Sequence, residues 1–160
     1  MIEIDRFSTR DQQGVLDVIL PIQTAEFGIP ITAEDQPDLR AIPLFYQTGY
    51  GGFWVARHDG RVVGTIALKD IGNAQAALRK MFVAQAFRGK EHGVAARLLT
   101  RLLTEARARG VADVFLGTTA KFLAAHRFYE KNGFTEIARA DLPASFPLIA
   151  VDTKFYSIRL

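Results

Sequence analysis

The chain has 160 residues, of which 49% are hydrophobic and 23% are charged. This length and balance fit one globular domain over residues 1–160, large enough to fold without a metal or a disulfide. The absence of cysteine excludes a disulfide framework, a thiolate metal site and a cysteine nucleophile, and we expect a reducing, cytoplasmic location. The net charge of +3, from 20 basic and 17 acidic side chains, is too small to indicate nucleic-acid binding.

The N-terminal segment does not have the pattern of a signal peptide. The first 11 residues, MIEIDRFSTRD, carry acidic side chains and lack the apolar core of a signal peptide. No apolar run approaches the roughly 20 residues that a membrane helix needs. We therefore expect neither export nor a membrane partner.

The first third of the chain predicts one strand and two helices. Residues 2–7 alternate as a strand, and residues 10–27 have apolar side chains at helical spacing, with Pro21 bending or ending the helix. A second helix is expected over 32–49, begun by Thr32 with acidic residues in its first turn. Two prolines inside this segment leave its continuity open.

A hairpin and an alternation of strands and helices follow. Two β-rich runs flank His58-Asp59-Gly60-Arg61, and Asp-Gly supplies the positive φ angles of a tight turn. The later elements are a strand over 76–83, a helix over 93–109 ended by Gly110, a strand over 112–117, a helix over 121–132 ended by Gly133, and strands over 134–139 and 151–158. This order predicts an α+β fold with a mixed sheet and helices on both faces.

The loop before the long helix has the composition of an anion site. The segment FRGKEHGVAARLL, residues 87–99, places glycines and basic side chains immediately before a helix. Unpaired N–H groups and the helix dipole favour anions at such an N-terminus, and Gly93 allows close approach of the backbone. Arg88 and Lys90 add positive charge. The alternative is a basic surface loop with a glycine for the turn, since the segment is neither a P-loop nor a dinucleotide-binding fingerprint.

Two segments resemble the GNAT family of N-acetyltransferases. Lys90-Glu91-His92-Gly93-Val94-Ala95 is similar to the family's Gln/Arg-x-x-Gly-x-Gly/Ala motif, and Arg88-Gly89-Lys90 looks like its common Arg-Gly-Lys run. The segment AAHRFYEKNGF, residues 124–134, resembles a second family block. The resemblance implies an acyl-CoA N-acyltransferase fold with a mostly antiparallel, twisted sheet. It also implies that this loop holds the diphosphate of acetyl-CoA, with Arg88, Gly89, Lys90, Gly93, Val94 and Ala95 as the binding residues.

The preceding strand matches the family as well. Met81, Phe82 and Val83 fall where the family uses backbone groups to hold the acetyl and pantetheine parts of the cosubstrate, although some of their side chains are expected in the core. Many members have an asparagine at the position of Phe122, so the resemblance carries over no asparagine contact.

Acetyl transfer needs a proton for the departing thiolate, and Tyr129 is the candidate donor. A phenol with an ordinary pKa near 10 is protonated at neutral pH. The alternative is a core aromatic, because Phe122, Ala125 and Tyr129 share a helix face. The base that deprotonates the amine stays open among Glu26, Asp35, Asp70 and His126.

The sequence therefore predicts an N-acetyltransferase that moves an acetyl group from acetyl-CoA to a primary amine by direct attack in a ternary complex. The alternatives are an acyl-CoA-binding sensor or partner module without transfer, and a nucleic-acid-binding domain, which the interspersed acidic residues disfavour. The acceptor, a small molecule or a peptide amine, is not identified by the sequence. We expect no metal site, and the resemblance implies a homodimer.

Overall fold

The computed structural model describes residues 1–120 and 122–160. Its helices and strands follow the predicted order, and the predicted start of the last helix at Lys121 lies outside the described residues. In chain order they are β1 (Ile2–Arg6), α1 (Gln12–Pro21), α2 (Pro37–Arg40), α3 (Ile42–Phe45), β2 (Gly52–His58), β3 (Arg61–Gly72), β4 (Gln75–Val83), α4 (Val94–Arg109), β5 (Asp113–Thr118), α5 (Leu123–Lys131), β6 (Thr135–Ile137) and β7 (Lys154–Arg159).

The strands form one mixed sheet in the order β1-β2-β3-β4-β5-β7-β6. Only β4 and β5 pair in parallel among the described strands, and every other neighbouring pair is antiparallel. Side chains alternate across the sheet: Trp54 packs in the core cluster shared with α4 and α5, whereas Phe53 packs in the cluster shared with α1, α2 and α3. The predicted α+β class with helices on both faces is confirmed.

Local sequence signals place several boundaries correctly. Asp59 and Gly60 adopt φ angles of 51° and 80°, as the tight turn between β2 and β3 requires. The C-terminus of α4 is closed by Gly110 at φ 92°. Pro21 is the last residue of α1, and a π-helical turn over Ile22–Glu26 continues the chain. In the part of the chain that the structure describes, no helix has the length and apolarity to cross a bilayer.

The helix expected over 32–49, whose continuity its two prolines leave open, is divided, and Thr32 does not begin it. Thr32 instead begins a turn, in which its N–H and hydroxyl both donate to the Asp35 carboxylate at 3.1 Å. Two short helices, α2 and α3, follow and are separated at Ala41. Pro37 is the first residue of α2 and Pro43 the second residue of α3, positions at which the missing N–H is tolerated, so each proline lies at the start of a new helix rather than inside a continuous one.

A bulge in β4 opens the centre of the sheet. From Thr65–Phe82 to Ala67–Arg79, β4 contains one more residue than β3, and Lys80 takes a left-handed φ of 54°. The Thr65 hydroxyl donates to the Lys80 carbonyl at 2.7 Å and holds this conformation. On its other side, β4 pairs with β5 only over 75–77. We call the space between the later parts of β4 and β5 the wedge.

A buried ion pair joins the start of α1 to the sheet. The guanidinium of Arg57 donates to the two oxygens of Asp11 at 2.9 and 2.7 Å and also pairs with Asp5 on β1. Burial by itself raises the pKa of Asp11, but hydrogen bonds from Arg57 and Ser8 outweigh it, so the pKa lies below its ordinary value of 3.8. The pair therefore contributes to stability mainly while Asp11 is ionised.

Replacing Asp11 by asparagine is expected to lower the free energy of unfolding at neutral pH by about 3 kcal/mol, because it leaves a buried guanidinium with only Asp5 as a charged partner. Since the pKa of Asp11 is lowered on folding, this contribution is present above pH 3.8 and is lost as the pH falls through the lower folded value. Urea unfolding at several pH values measures both effects. Glu3→Gln, at an exposed position of β1, is the control, and equal effects of the two variants would contradict the assignment.

Candidate active site

The loop between β4 and α4 presents unpaired backbone donors. Within the described residues, the N–H groups of Val94, Ala95 and Ala96 have no acceptor, because each lies in the first turn of α4. Gly93, directly before them, has a left-handed φ of 58°, and a Cβ there would meet nothing within 4 Å. The helix dipole adds positive potential at this end. The arrangement is suited to bind an anion such as phosphate.

The two basic side chains predicted for this loop differ in their environment. Arg88 donates to both carboxylate oxygens of Glu26 at 2.7 and 2.8 Å and to the Val83 carbonyl at 2.8 Å. The hydrogen bond from Arg88 also lowers the pKa of Glu26. Lys90 is exposed and has no side-chain partner in the described parts of the chain. Lys90 is therefore the basic side chain of this loop that is available to an incoming anion.

The strand predicted to hold the acyl part borders the wedge. Beyond residue 77 the edge of β4 that faces β5 has no ladder partner, so Met81, Phe82 and Val83 lie on an unpaired backbone edge. Their side chains pack on both faces: Met81 and Val83 contact the core below α4, and Phe82 contacts the core below α1. The core interpretation is correct for these side chains, while the predicted role of their backbone groups in holding the acyl chain stays a prediction.

Tyr129 of α5 lies beside this edge. Its side chain is buried, and within the described residues its hydroxyl donates only a long contact of 3.7 Å to the Met81 sulfur, which is a weak acceptor. Burial, with a smaller contribution from the negative charge of Asp152, raises the pKa of Tyr129 to about 12. The phenol is thus protonated at neutral pH, and its proton is not committed to a strong acceptor.

Phe122, which replaces the asparagine of many relatives, has a packing role. Its ring lies 4.5 Å from the ring of Phe27, which follows α1. Phe122 is also the residue that precedes the first turn of α5. The contact joins the segment after α1 to the start of α5, so an aromatic pair occupies the position where other members place a polar group.

A buried polar cluster that the sequence did not predict lies on the α1 side of the wedge. The amides of Gln23 and Gln36 donate to each other at 3.0 and 2.9 Å. Lys80 donates to Gln36 at 2.8 Å and lies 3.5 Å from Asp38, which also accepts a 2.6 Å hydrogen bond from Tyr46. Burial lowers the pKa of Lys80, partly opposed by Asp38. The polar run around Pro37 was the only signal of this cluster in the sequence.

Asp152 is a second residue that sequence analysis missed. It is 8% exposed, and its carboxylate accepts no hydrogen bond from any described residue. Its Oδ2 lies over Gly117, where a Cβ would be only 2.5 Å away. Burial raises the pKa of Asp152, partly opposed by Arg79 and Arg139. One aspartate in an irregular segment has no periodicity or motif, so nothing in the sequence marked it.

The four acids and bases considered earlier each have a structural partner. Glu26 pairs with Arg88, and Asp35 binds Thr32. Asp70 accepts hydrogen bonds from the N–H groups of Tyr50 and Gly72. The His126 ring hydrogen-bonds the Thr119 carbonyl at 2.8 Å. Among residues 1–120 and 122–160, no three His, Cys, Asp or Glu side chains gather in a way that would hold a metal ion.

This geometry, a split between parallel strands beside an anion-binding helix N-terminus, is accompanied by a family match. Residues 16–134 match the Acetyltransferase (GNAT) family. The chain belongs to this family, which confirms the resemblance inferred from the two motifs.

Particular relatives are N-acetyltransferases. The chain is 38% identical over 128 residues to N-acetylaspartate synthetase of Rattus norvegicus, covering 76% of this chain and 42% of that protein. It thus spans about two fifths of the length of the N-acetylaspartate synthetases that it matches. A GNAT-family acetyltransferase structure from Staphylococcus aureus Mu50 superposes with a TM-score of 0.93 at 38% identity, over 99% of both chains. The PaiA N-acetyltransferase of Thermoplasma acidophilum, solved in complex with coenzyme A, shares the fold at 19% identity, with a TM-score of 0.74 over 100% of this chain and 99% of that one.

Replacing Glu26 by glutamine is expected to loosen residues 84–93 without unfolding the protein. The ion pair with Arg88 is partly exposed, so global stability should change by about 1 kcal/mol or less. Hydrogen–deuterium exchange should become faster in this loop and stay unchanged in α4. Glu91→Gln, in the same loop and without a side-chain partner in the described chain, is the control. Unchanged exchange in the Glu26 variant would show that the pair does not hold the loop.

Proposed function

We propose that the protein transfers the acetyl group of acetyl-CoA to a primary amine, by direct attack of the amine in a complex with both substrates. The observation that carries this proposal is the wedge between β4 and β5, whose unpaired strand edge leads to the free N–H groups at the start of α4. Membership of the GNAT family and the N-acetyltransferase names of its relatives support it. The one domain over 1–160, the homodimer and the cytoplasmic location stay predictions.

The residues at the loop fit the diphosphate of coenzyme A. Val94, Ala95 and the following N–H would donate to its oxygens, and the open space beside Gly93 admits it. Lys90 would add an unpaired positive charge. The coenzyme A bound to the Thermoplasma relative supports the same ligand here. Arg88 would join this set only by leaving Glu26.

The chain's own groups match the charges that develop during the transfer. An N–H on the free edge of β4, between Met81 and Val83, would stabilise the oxygen of the thioester as it becomes negative. Tyr129, with its pKa raised to about 12 mainly by burial, holds a proton that it would give to the leaving sulfur. No residue has to become covalently acetylated, which is consistent with the absence of cysteine.

The second candidate function is a module that binds acyl-CoA without transferring the acyl group. Phe122 and its contact with Phe27 favour it, because they replace a polar group near the cosubstrate by an aromatic pair. The presence of Tyr129 beside the strand edge favours the enzyme. Release of free coenzyme A in the presence of a panel of primary amines separates the two functions, since only the enzyme produces a thiol.

Replacing Gly93 by alanine is expected to weaken acetyl-CoA binding about tenfold, since a side chain at positive φ strains the backbone that presents the amides. Isothermal titration calorimetry measures the affinity. Gly110→Ala, at φ 92° and at the other end of α4, is the control. Its free energy of unfolding should fall by about 1 kcal/mol, as in the Gly93 variant, while its affinity for acetyl-CoA should equal that of the wild-type protein. Equal affinities of the two variants would contradict the loop as the binding site, and no binding to wild-type protein would overturn the proposed function.

Replacing Tyr129 by phenylalanine is expected to lower kcat about 100-fold, because it removes the proton donor. The KM for acetyl-CoA and the melting temperature should hardly change, since the lost hydroxyl contacts only a thioether within the described residues. Steady-state thiol release measures kcat, with Tyr50→Phe, a more exposed tyrosine, as the matched control. Normal turnover by the folded Tyr129 variant would assign Tyr129 to the core alone.

A further inference from the structure

Two charged side chains beside the wedge lack a hydrogen-bond partner in the described chain. Arg79 lies on β4 directly before the bulge, is partly buried, and makes neither a hydrogen bond nor an ion pair there. Asp152 is 8% exposed, and its carboxylate, whose oxygens keep some contact with solvent, accepts no hydrogen bond from a described residue. Leaving charged groups in such places without partners is unfavourable, so each of them suits a ligand of opposite charge.

Both side chains lie on the face of the sheet opposite α4 and α5. Ala77 belongs to the cluster on that face, and Arg79 is two residues further along the same strand. Asp152 lies over Gly117 together with the ring of Phe155, which belongs to the same cluster. Tyr129 instead packs in the cluster on the α4 side. The two charges therefore border the wedge on the face of the sheet opposite α4 and Tyr129.

Asp152 is held in place by the backbone on both sides of it. Its own N–H donates to the Ile149 carbonyl at 3.0 Å, and the N–H of Thr153 donates to the Thr118 carbonyl at the end of β5 at 2.9 Å. The carboxylate is thus fixed beside β5 without using its own oxygens. Such a pre-positioned acceptor needs no rearrangement to meet a ligand.

The charges of Arg79 and Asp152 influence each other across a gap. The positive charge of Arg79 opposes the rise in the pKa of Asp152 that burial causes, although no nitrogen–oxygen contact of 4.0 Å or less joins them. We propose that a small acceptor bridges this gap: an amine that also carries a carboxylate, with the carboxylate on Arg79 and the amino group on Asp152. This inference rests on the proposed acetyl transfer and names the class of its acceptor.

A carboxylate fits better than a phosphate. A single guanidinium binds a carboxylate through two parallel hydrogen bonds and balances its one negative charge. A dianionic phosphate beside Asp152 would need a second cation that is free to bind it. The Arg139 guanidinium donates to the Asp152 carbonyl at 3.3 Å and lies over the Phe155 ring. Lys80 is already bound to Gln36 and Asp38. Lys80 therefore fixes the polar cluster next to the site rather than the ligand.

Asp152 would also remove the proton that the reaction releases. The amine binds beside Asp152 as an ammonium and first gives it one proton, which Asp152 passes to water, so that the amine attacks in its neutral form. As the nitrogen forms its bond to the thioester carbon, it loses a second proton to Asp152, and the carbon–sulfur bond breaks. The thiolate takes a proton from Tyr129, so the products are an N-acetylated amino acid and free coenzyme A. Both side chains then exchange protons with water. The groups that face Asp152 are Arg79 from β4, Arg139 from the segment after β6, and Tyr129 from α5.

The test compares amino acids with their α-amides as acceptors, by thiol release with acetyl-CoA. The amide has the less basic amine, so a larger fraction of it is unprotonated and able to attack at neutral pH, and a preference for the acid reports binding of the carboxylate. We expect wild-type kcat/KM to be at least about tenfold higher for the acid. Arg79→Gln should abolish this preference, mainly through KM for the acid, and leave the amide unaffected. Arg107→Gln, at an exposed position of α4 without a side-chain partner in the described residues, should change neither.

Three outcomes would overturn the inference. They are equal use of acid and amide by wild-type protein, equal loss on both by the Arg79 variant, and acetylation confined to amines without a carboxylate, such as polyamines, lysine peptides or phosphoethanolamine. The last result leaves the proposed acetyl transfer intact. If no amine in the panel yields a thiol while calorimetry detects acetyl-CoA binding, the transfer itself fails and the binding module takes its place.

Asp152→Asn provides a second readout that a structural role would not give. Because burial raises the pKa of Asp152, its ionised form destabilises the fold at neutral pH, and this penalty disappears below its ordinary pKa of 3.8. The variant should therefore melt at a higher temperature at neutral pH and yet lose at least about tenfold in kcat on acid and amide alike. A variant that keeps its kcat would remove Asp152 from the site.

Discussion

The separation of β4 from β5 after three paired residues is the constraint on which the site depends. One extra residue in β4, with Lys80 in a left-handed conformation and its carbonyl held by Thr65, turns the strand away from its parallel neighbour. Backbone N–H and C=O groups that a regular sheet would pair are left without partners in the middle of the fold. Such an edge is unfavourable when empty, and the extended ligand chain that we propose between the strands would supply its missing hydrogen bonds.

The two faces of the sheet supply different chemistry to this opening. On the side of α4 and α5, the unpaired amides after Gly93 and the phenol of Tyr129 lie next to apolar core. On the other side, charged and amide side chains gather between the segment after α1 and the loop before β7. The bulge joins the two, because Lys80 belongs to the polar cluster while Met81, the next residue, contacts Tyr129.

Local signals made much of the fold predictable. The Asp59-Gly60 turn, the apolar stripe of the long helix and its terminal Gly110 depend on neighbours in sequence, and they appear where expected. The division of residues 32–49 into two helices depends on each of two prolines lying at the start of its own helix. The sequence shows the prolines, but it does not show whether each one ends a helix or begins one.

The site divides in the same way. The loop motif places its glycines and amides, since these follow from the start of a helix. The partner of Arg88 is Glu26, 62 positions away, and no spacing rule connects the two. Asp152 reaches the wedge only because β7 inserts between β5 and β6, a long-range pairing that leaves no periodic trace. The positions of these side chains depend on tertiary contacts, and the order of residues along the chain does not predict such contacts.

Gly117 has a consequence for how such a protein diversifies. A methyl group at this position would collide with the Asp152 carboxylate, so a single alanine there is enough to remove the buried charge from its place. Gln23 and Arg139 lie on connecting segments, where length and sequence vary more freely than in helices and strands. Directed evolution of new acceptor preferences would therefore start from libraries at residue 117 and in these two connections, with the loop before α4 and α4 itself kept constant.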